Sequence, residues 1–128
     1  MKRLSILIFV LLALSLIIGC ASRPPAYQFR PGTYTGEGRG YGGTITVIVE
    51  VDSSRIINVT IGENRETAAF ANPVFNRIPR QIVERQSLVV DTISGATLTR
   101  NGVIAGAKAA LLSAGATEEQ LMTPGRSR

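Results

Sequence analysis

Residues 44–61 constrain this chain most. Ile45, Val47, Val49 and Val51 alternate with Thr44, Thr46, Glu50 and Asp52, with Ile48 the exception, and a period of two marks a strand with one buried face. Asp52, Ser53, Ser54 and Arg55 make a polar turn, after which Ile57, Val59 and Ile61 alternate with Asn58 and Thr60. The pattern predicts an antiparallel hairpin. Ahead of it, Gly36, Gly38, Gly40 and Gly42 alternate with Glu37, Arg39 and Tyr41. Read as a strand, every glycine lies on one face, leaving a flat trough where another backbone, a helix or a ring can come close. Because a strand and not a helix follows these glycines, they do not match the phosphate loop of a dinucleotide fold.

After Gly62, Glu63 and Asn64 the period lengthens. Residues 66–78 read as one or two short helical pieces packed through Ala68, Ala69, Phe70, Val74 and Phe75, with Pro73 in a first turn behind Asn72. Pro79 is expected to break or restart the helix, so residues 79–86 form a second short helix carrying Ile82 and Val83. Leu88, Val89 and Val90 read as a short strand delivering Asp91. A turn of small residues, Ser94, Gly95, Ala96 and Thr97, then runs into an amphipathic helix with Val103, Ile104, Ala107, Ala110 and Leu111 at helical spacing. Thr99 or Asn101 can cap its start and Gly115 its end. The expected fold is α+β: an antiparallel sheet, a three-stranded meander plus a short strand, flanked by helices, with Val103, Ala107 and Leu111 of the last long helix packed on it.

The 94–97 turn is where chemistry is expected. Its small residues let backbone approach a ligand closely, and the following helix points its N-terminal amides and dipole at the same place, which suits an anion. Thr97 places a hydroxyl just ahead of the helix, and as a residue type it serves equally as an ordinary pre-helical threonine. Glu66 and Thr67 fit either a helix cap or a pocket wall. Tyr34 and Tyr41 read as core or trough residues. The chain has no histidine and no tryptophan, and Cys20 is its one cysteine. A Ser-His triad, a zinc site built on histidines and a thiolate cluster are thereby excluded. No two carboxylates share a motif suggesting an acid/base pair, so a borrowed cofactor is the economical source of function.

Lys2 and Arg3 precede an apolar run over residues 4–18 interrupted only by Ser5 and Ser15, and Gly19 and Cys20 follow. The run is shorter than the ~20 residues a spanning helix needs, and its order is that of a bacterial lipoprotein signal peptide. The expected division is residues 1–19 as signal peptide, 20–30 as a tether lipidated at Cys20, 31–117 as the domain, and 118–128 as a flexible tail. Lipidation with several acyl chains, palmitate among them, anchors a protein firmly to a membrane and places this domain on the extracytoplasmic side. Loss of residues 1–19 lowers the net charge from the precursor's +5 by the two charges of Lys2 and Arg3. The remaining arginines are scattered, so no nucleic acid partner is expected.

The segment from Asp91 through Ser94, Gly95, Ala96 and Thr97 into the helix resembles the motif of the FMN-binding domain family. Residues 31–36, the strand pair over 45–61, Glu66 and Thr67, and residues 82–87 fall in family-like order, and the resemblance spans about residues 31–116. Members occur in a peripheral subunit of sodium-translocating quinone reductases, in related electron-transport complexes, in some extracytoplasmic reductases and in small lipoproteins. The resemblance implies FMN as cofactor, its phosphate joined as a phosphoester to Thr97 by a flavin transferase. It places Ser94, Gly95, Ala96 and Thr99 at the cofactor and makes Asp91 part of what the transferase recognises. A redox partner protein or membrane reductase is the implied partner. Where the family often has Ser after the second Thr, this chain has Arg100, which either loosens a local hydrogen bond or supplies a cation to the phosphate. A lipoprotein using the fold for binding without flavin is the alternative. A stand-alone reductase is disfavoured by the small size and the missing acid/base groups.

Overall fold

The hairpin pattern is realised in full. β1 (Gly32–Arg39), β2 (Thr44–Val51) and β3 (Ile56–Ile61) form an antiparallel meander in the order β1-β2-β3. This is seen in a computed structural model that describes residues 27–125. The expected signal peptide, Cys20 and most of the expected tether lie outside the described residues. Register sets Gly36 opposite Val47 and Gly38 opposite Ile45, and an irregularity at Glu50/Val51 shifts the β2–β3 pairing. Ile45, Val47, Val49 and Val51 are buried on one face, while Thr44 and Glu50 on the other are exposed.

Both long helices cover that buried face. α1 (Ala68–Arg85) lies against β3, and α2 (Thr97–Ser113) lies against β1 and β2. Val103, Ala107 and Leu111 are fully buried, as their spacing predicts. The glycine trough holds this helix: a Cβ at Gly38 would lie 1.8 Å from the Gly102 carbonyl oxygen, and one at Gly36 2.0 Å from that of Gly106. Strand and helix backbones therefore touch, which only residues without side chains permit.

Three expectations are corrected. First, α1 is one helix running through both Pro73 and Pro79, and Pro73 sits beyond its first turn. An interior proline costs about 3 kcal/mol, but a break at Pro79 would expose Ile78 and Ile82, both fully buried, at ~1.5–3 kcal/mol each. The stripe Ala71, Val74, Ile78 and Ile82 wins, and Ala68, Ala69 and Phe70 are exposed instead of packed.

Second, residues 88–90 form no strand. Their backbone groups are satisfied by other partners: the Leu88 N–H donates to Leu121 C=O at 2.9 Å, the Val89 N–H to Ser87 Oγ at 3.0 Å, and Arg100 donates to Val90 C=O at 2.9 Å. The nearby edge of β3 is closed by Gln86, whose side chain accepts from the Ile56 N–H at 2.7 Å and donates to the Ile56 C=O at 2.9 Å, as a strand would.

Third, the ends of the domain reach further than expected. Phe29 is buried and stacks on Tyr27 with ring centroids 4.6 Å apart, so residues 27–30 belong to the fold and not to a free tether. At the other end α3 (Glu118–Leu121) is a short helix with a capping box between Thr117 and Gln120, and Leu121 is fully buried. Leu121 thus ties the start of the expected tail to the core.

Candidate functional site

α2 begins without a cap. Its N-cap is Ala96, which makes no side-chain cap bond, and no acidic residue lies in its first turn. Thr99 and Asn101 do not cap it, since both lie inside the helix. The first intrahelical bond is donated by the Arg100 N–H to Ala96 C=O at 2.9 Å. The N–H groups of Thr97, Leu98 and Thr99 thus have no hydrogen-bond partner among the described residues. The turn ahead is closed from the Ala96 N–H to the Ile93 C=O at 3.3 Å. Gly95 takes φ +80° in it, with nothing within 4 Å of where a Cβ would stand. A residue with a side chain would be strained there.

These amides open on a cleft of about 570 Å³, within the ~300–1,000 Å³ of small-molecule sites. One wall is the turn and the start of α2: Gly95, Ala96, Thr97, Leu98 and Thr99. Glu66, Thr67 and Phe70 at the start of α1 make the second wall, and Tyr41 of the β1–β2 turn the third. Tyr41 is 77% exposed, Phe70 63% and Leu98 56%. Three large apolar side chains left uncovered around one opening suit a flat hydrophobic ligand.

Glu66 joins the three walls. One carboxylate oxygen accepts from the Gly42 N–H at 2.6 Å and the other from the Thr99 hydroxyl at 2.5 Å. Thr67 occupies the N-cap position of α1 but makes no side-chain cap bond. Among the residues singled out from sequence, Gly95, Ala96, Thr97 and Thr99 come together in the cleft, with Thr97 exposed at the first position of α2 and Thr99 buried against Glu66. Ser94 is exposed outside the lining. Asp91 also stands outside it, accepting from Arg85 at 3.0 Å and from Gln81 at 2.9 Å. Arg85, and then Gln81, hold its carboxyl below the usual carboxylate value.

Arg100 is committed elsewhere. It donates to the Asp91 and Val90 carbonyls at 2.8 and 2.9 Å and to Asn101 Oδ1 at 3.0 Å, pinning the 90–91 segment to α2. Sequence reasoning did not anticipate Tyr41, Phe70 and Leu98 as cleft residues. The available signal was Leu98, an apolar residue off the 103–107–111 stripe and next to the small-residue turn.

A model of the FMN-binding domain matches residues 40–112, more than half of the chain. NADH:acrylate oxidoreductase of Vibrio harveyi is 38% identical to this chain over 94 residues, which is 73% of this chain and 9% of that protein. The cleft fits the group that such a family implies. Unpartnered helix amides are suited to a phosphate, the Thr97 hydroxyl stands beside them, and the uncovered Tyr41, Phe70 and Leu98 are suited to a flavin ring. By the extent of the family match the chain belongs to the FMN-binding domain family, and FMN is its cofactor.

Proposed function

We propose that this protein is a lipid-anchored, extracytoplasmic electron carrier whose FMN is joined through its phosphate to Thr97. The observation that carries the reading is the placement of Thr97: exposed at the first position of α2, beside three N–H groups with no partner among the described residues. When bound, FMN supplies one- and two-electron transfer, chemistry that the side chains of this chain do not provide.

The chain's own part is to hold and orient. The amides of Thr97, Leu98 and Thr99 would hold the phosphate, and the helix dipole would stabilise one retained negative charge by ~0.3–2 kcal/mol. Joining the Thr97 oxygen to phosphorus must break an existing bond at that phosphorus. The donor is therefore a flavin whose phosphate is activated as an anhydride, and the hydroxyl proton leaves to solvent as the other half departs. A flavin transferase brings the two together. Outside the cytoplasm a dissociated cofactor is diluted away, whereas a tethered ring stays at high effective concentration.

Anchoring rests on the 4–18 apolar run followed by Cys20. The chain enters the domain at the C-terminal end of α2, where the Arg30 N–H donates to Ala114 C=O at 2.9 Å. The cleft lies at the other end of a helix that spans 17 residues, roughly 25 Å at 1.5 Å per residue. This polarity supports a flavin held away from the lipid surface, toward a partner protein. Intact-mass analysis checks the anchor: residues 1–19 should be gone and acyl mass added at Cys20.

Co-expression with an active transferase, followed by peptide mass spectrometry, checks the attachment. Flavin mass belongs on the Thr97 peptide and disappears, with in-gel fluorescence, in Thr97→Ala, while Thr99→Ala keeps it. Flavin found on Thr99, or on no residue, would sink the assignment.

A further inference from the structure

We propose that Glu66 makes the cleft charge-selective, admitting the singly charged phosphodiester of an attached flavin and disfavouring the more highly charged phosphate of free FMN. The inference rests on the FMN cleft described above and, for the attached form, on the Thr97 linkage. Among the described residues Glu66 is the one charged side chain that lines the cleft. It is held on both sides, by the Gly42 N–H at 2.6 Å and by the Thr99 hydroxyl at 2.5 Å, so turning it out of the cleft would forfeit two hydrogen bonds. Thr99 lies two residues beyond Thr97 in the same first turn of α2, which keeps the carboxylate near the phosphate site.

No basic side chain lines the cleft among the described residues. Arg65, the neighbour of Glu66 in sequence, is exposed and stands outside the lining, and the Arg100 guanidinium is taken up by the Val90 and Asp91 carbonyls and by Asn101. The attraction available to a phosphate is therefore that of the uncapped amides and the helix dipole, about half an elementary charge. A free phosphate monoester carries about −1.5 to −2 at pH 7, whereas a diester carries a single charge. Repulsion from Glu66 grows in proportion to the ligand charge. Free FMN thus meets most of it, and uncharged riboflavin none. The selection favours a cofactor that is attached over one that exchanges.

The test uses the full chain made without a flavin transferase, with free FMN and riboflavin as probes, dissociation constants being read at low salt from quenching of flavin fluorescence. Glu66→Gln retains both contacts in kind, because its amide oxygen can accept from Gly42 and its NH₂ can donate to the Thr99 hydroxyl. A melt by circular dichroism checks that the variant is folded. The deciding quantity is the ratio of FMN affinity to riboflavin affinity. Glu66→Gln should raise it about fivefold or more through loss of the repulsion, with the gain shrinking at high salt. An unchanged or lowered ratio, or no detectable FMN binding to either protein, would overturn the proposal.

Mass spectrometry of Thr97 keeps the two readings apart. An unmodified Thr97 with a raised ratio removes the attachment and leaves the charge selection. Flavin on Thr97 with an unchanged ratio does the reverse.

Discussion

At its C-terminal end α2 closes on the protein itself. The Gly115 N–H donates to Leu112 C=O and the Ala116 N–H to Leu111 C=O, both at 3.1 Å, the paired bonds of a Schellman motif. Gly115 takes φ +111°, and Ala114 accepts from the incoming Arg30 N–H. At the N-terminal end no such closure exists: Ala96 offers no capping side chain, Thr97 and Leu98 are exposed, and the N–H groups of three cleft-lining residues have no partner among the described residues. A missing cap costs a helix about 1 kcal/mol. One end of α2 is finished for stability, and the other is left for a ligand anion to complete.

Removing what holds both ends on one sheet should have the largest effect. Gly38→Ala puts a Cβ 1.8 Å from the Gly102 carbonyl oxygen. Because both atoms belong to backbones, helix and strand must separate, at about 3 kcal/mol, a fall in Tm of ~12–24 °C for a domain of this size. A thermal melt followed by circular dichroism checks it, and an unchanged Tm would show that the helix–strand contact is looser than described.

The next effect sets the two turn glycines against each other. Gly115→Val forces a branched side chain to φ +111°, 3.2 Å from the Gln28 carbonyl oxygen, at about 2 kcal/mol. Gly95→Ala at φ +80° meets no neighbour within 4 Å and should cost nearer 1 kcal/mol. Denaturant midpoints rank the two, and equal losses would erase the distinction between a sealed and an open end.

Asp91 contributes less, being exposed. Its carboxyl is held below its ordinary value by Arg85 first and Gln81 second. A folded-state value lower than the unfolded one means that the contribution is fully present above the unfolded value and is lost as pH falls through the folded one. Wild type should therefore exceed Asp91→Asn in denaturant midpoint at neutral pH, with the gap closing in acid. A gap that widened in acid would contradict the ion pair. The smallest effect belongs to Thr97→Ala, which removes no capping bond and should leave the stability of the flavin-free protein within about 0.5 kcal/mol. A larger loss would mean that Thr97 completes the open end by itself.

Much of the fold was legible because its signals are local and periodic. The alternation over 44–61 predicted two strands, the glycine spacing predicted a surface for close approach, and the 103–107–111 stripe predicted the buried face of α2. The single α1 helix was not legible, since Pro73 and Pro79 are local breakers whose cost is offset only by burial against β3. Residues 88–90 carry strand-like side chains, but their backbone groups are taken by the neighbouring Ser87 hydroxyl and by Leu121 and Arg100 from further along the chain.

The candidate site divides the same way. By itself the sequence determined that a small-residue turn feeds a helix, that the Thr97 hydroxyl stands where the two meet, and that no histidine or second cysteine is available for other chemistry. Each of these depends on residue type and near neighbours alone. Only the tertiary structure decided what faces the turn: that Glu66, 33 residues away, bonds Thr99, that Arg100 turns its charge toward backbone carbonyls, and that Tyr41 and Phe70 stand uncovered across the cleft. Those placements follow from packing α2 into the glycine trough, which brings three distant segments to one end of the sheet, and no periodicity along the chain records where separate segments meet.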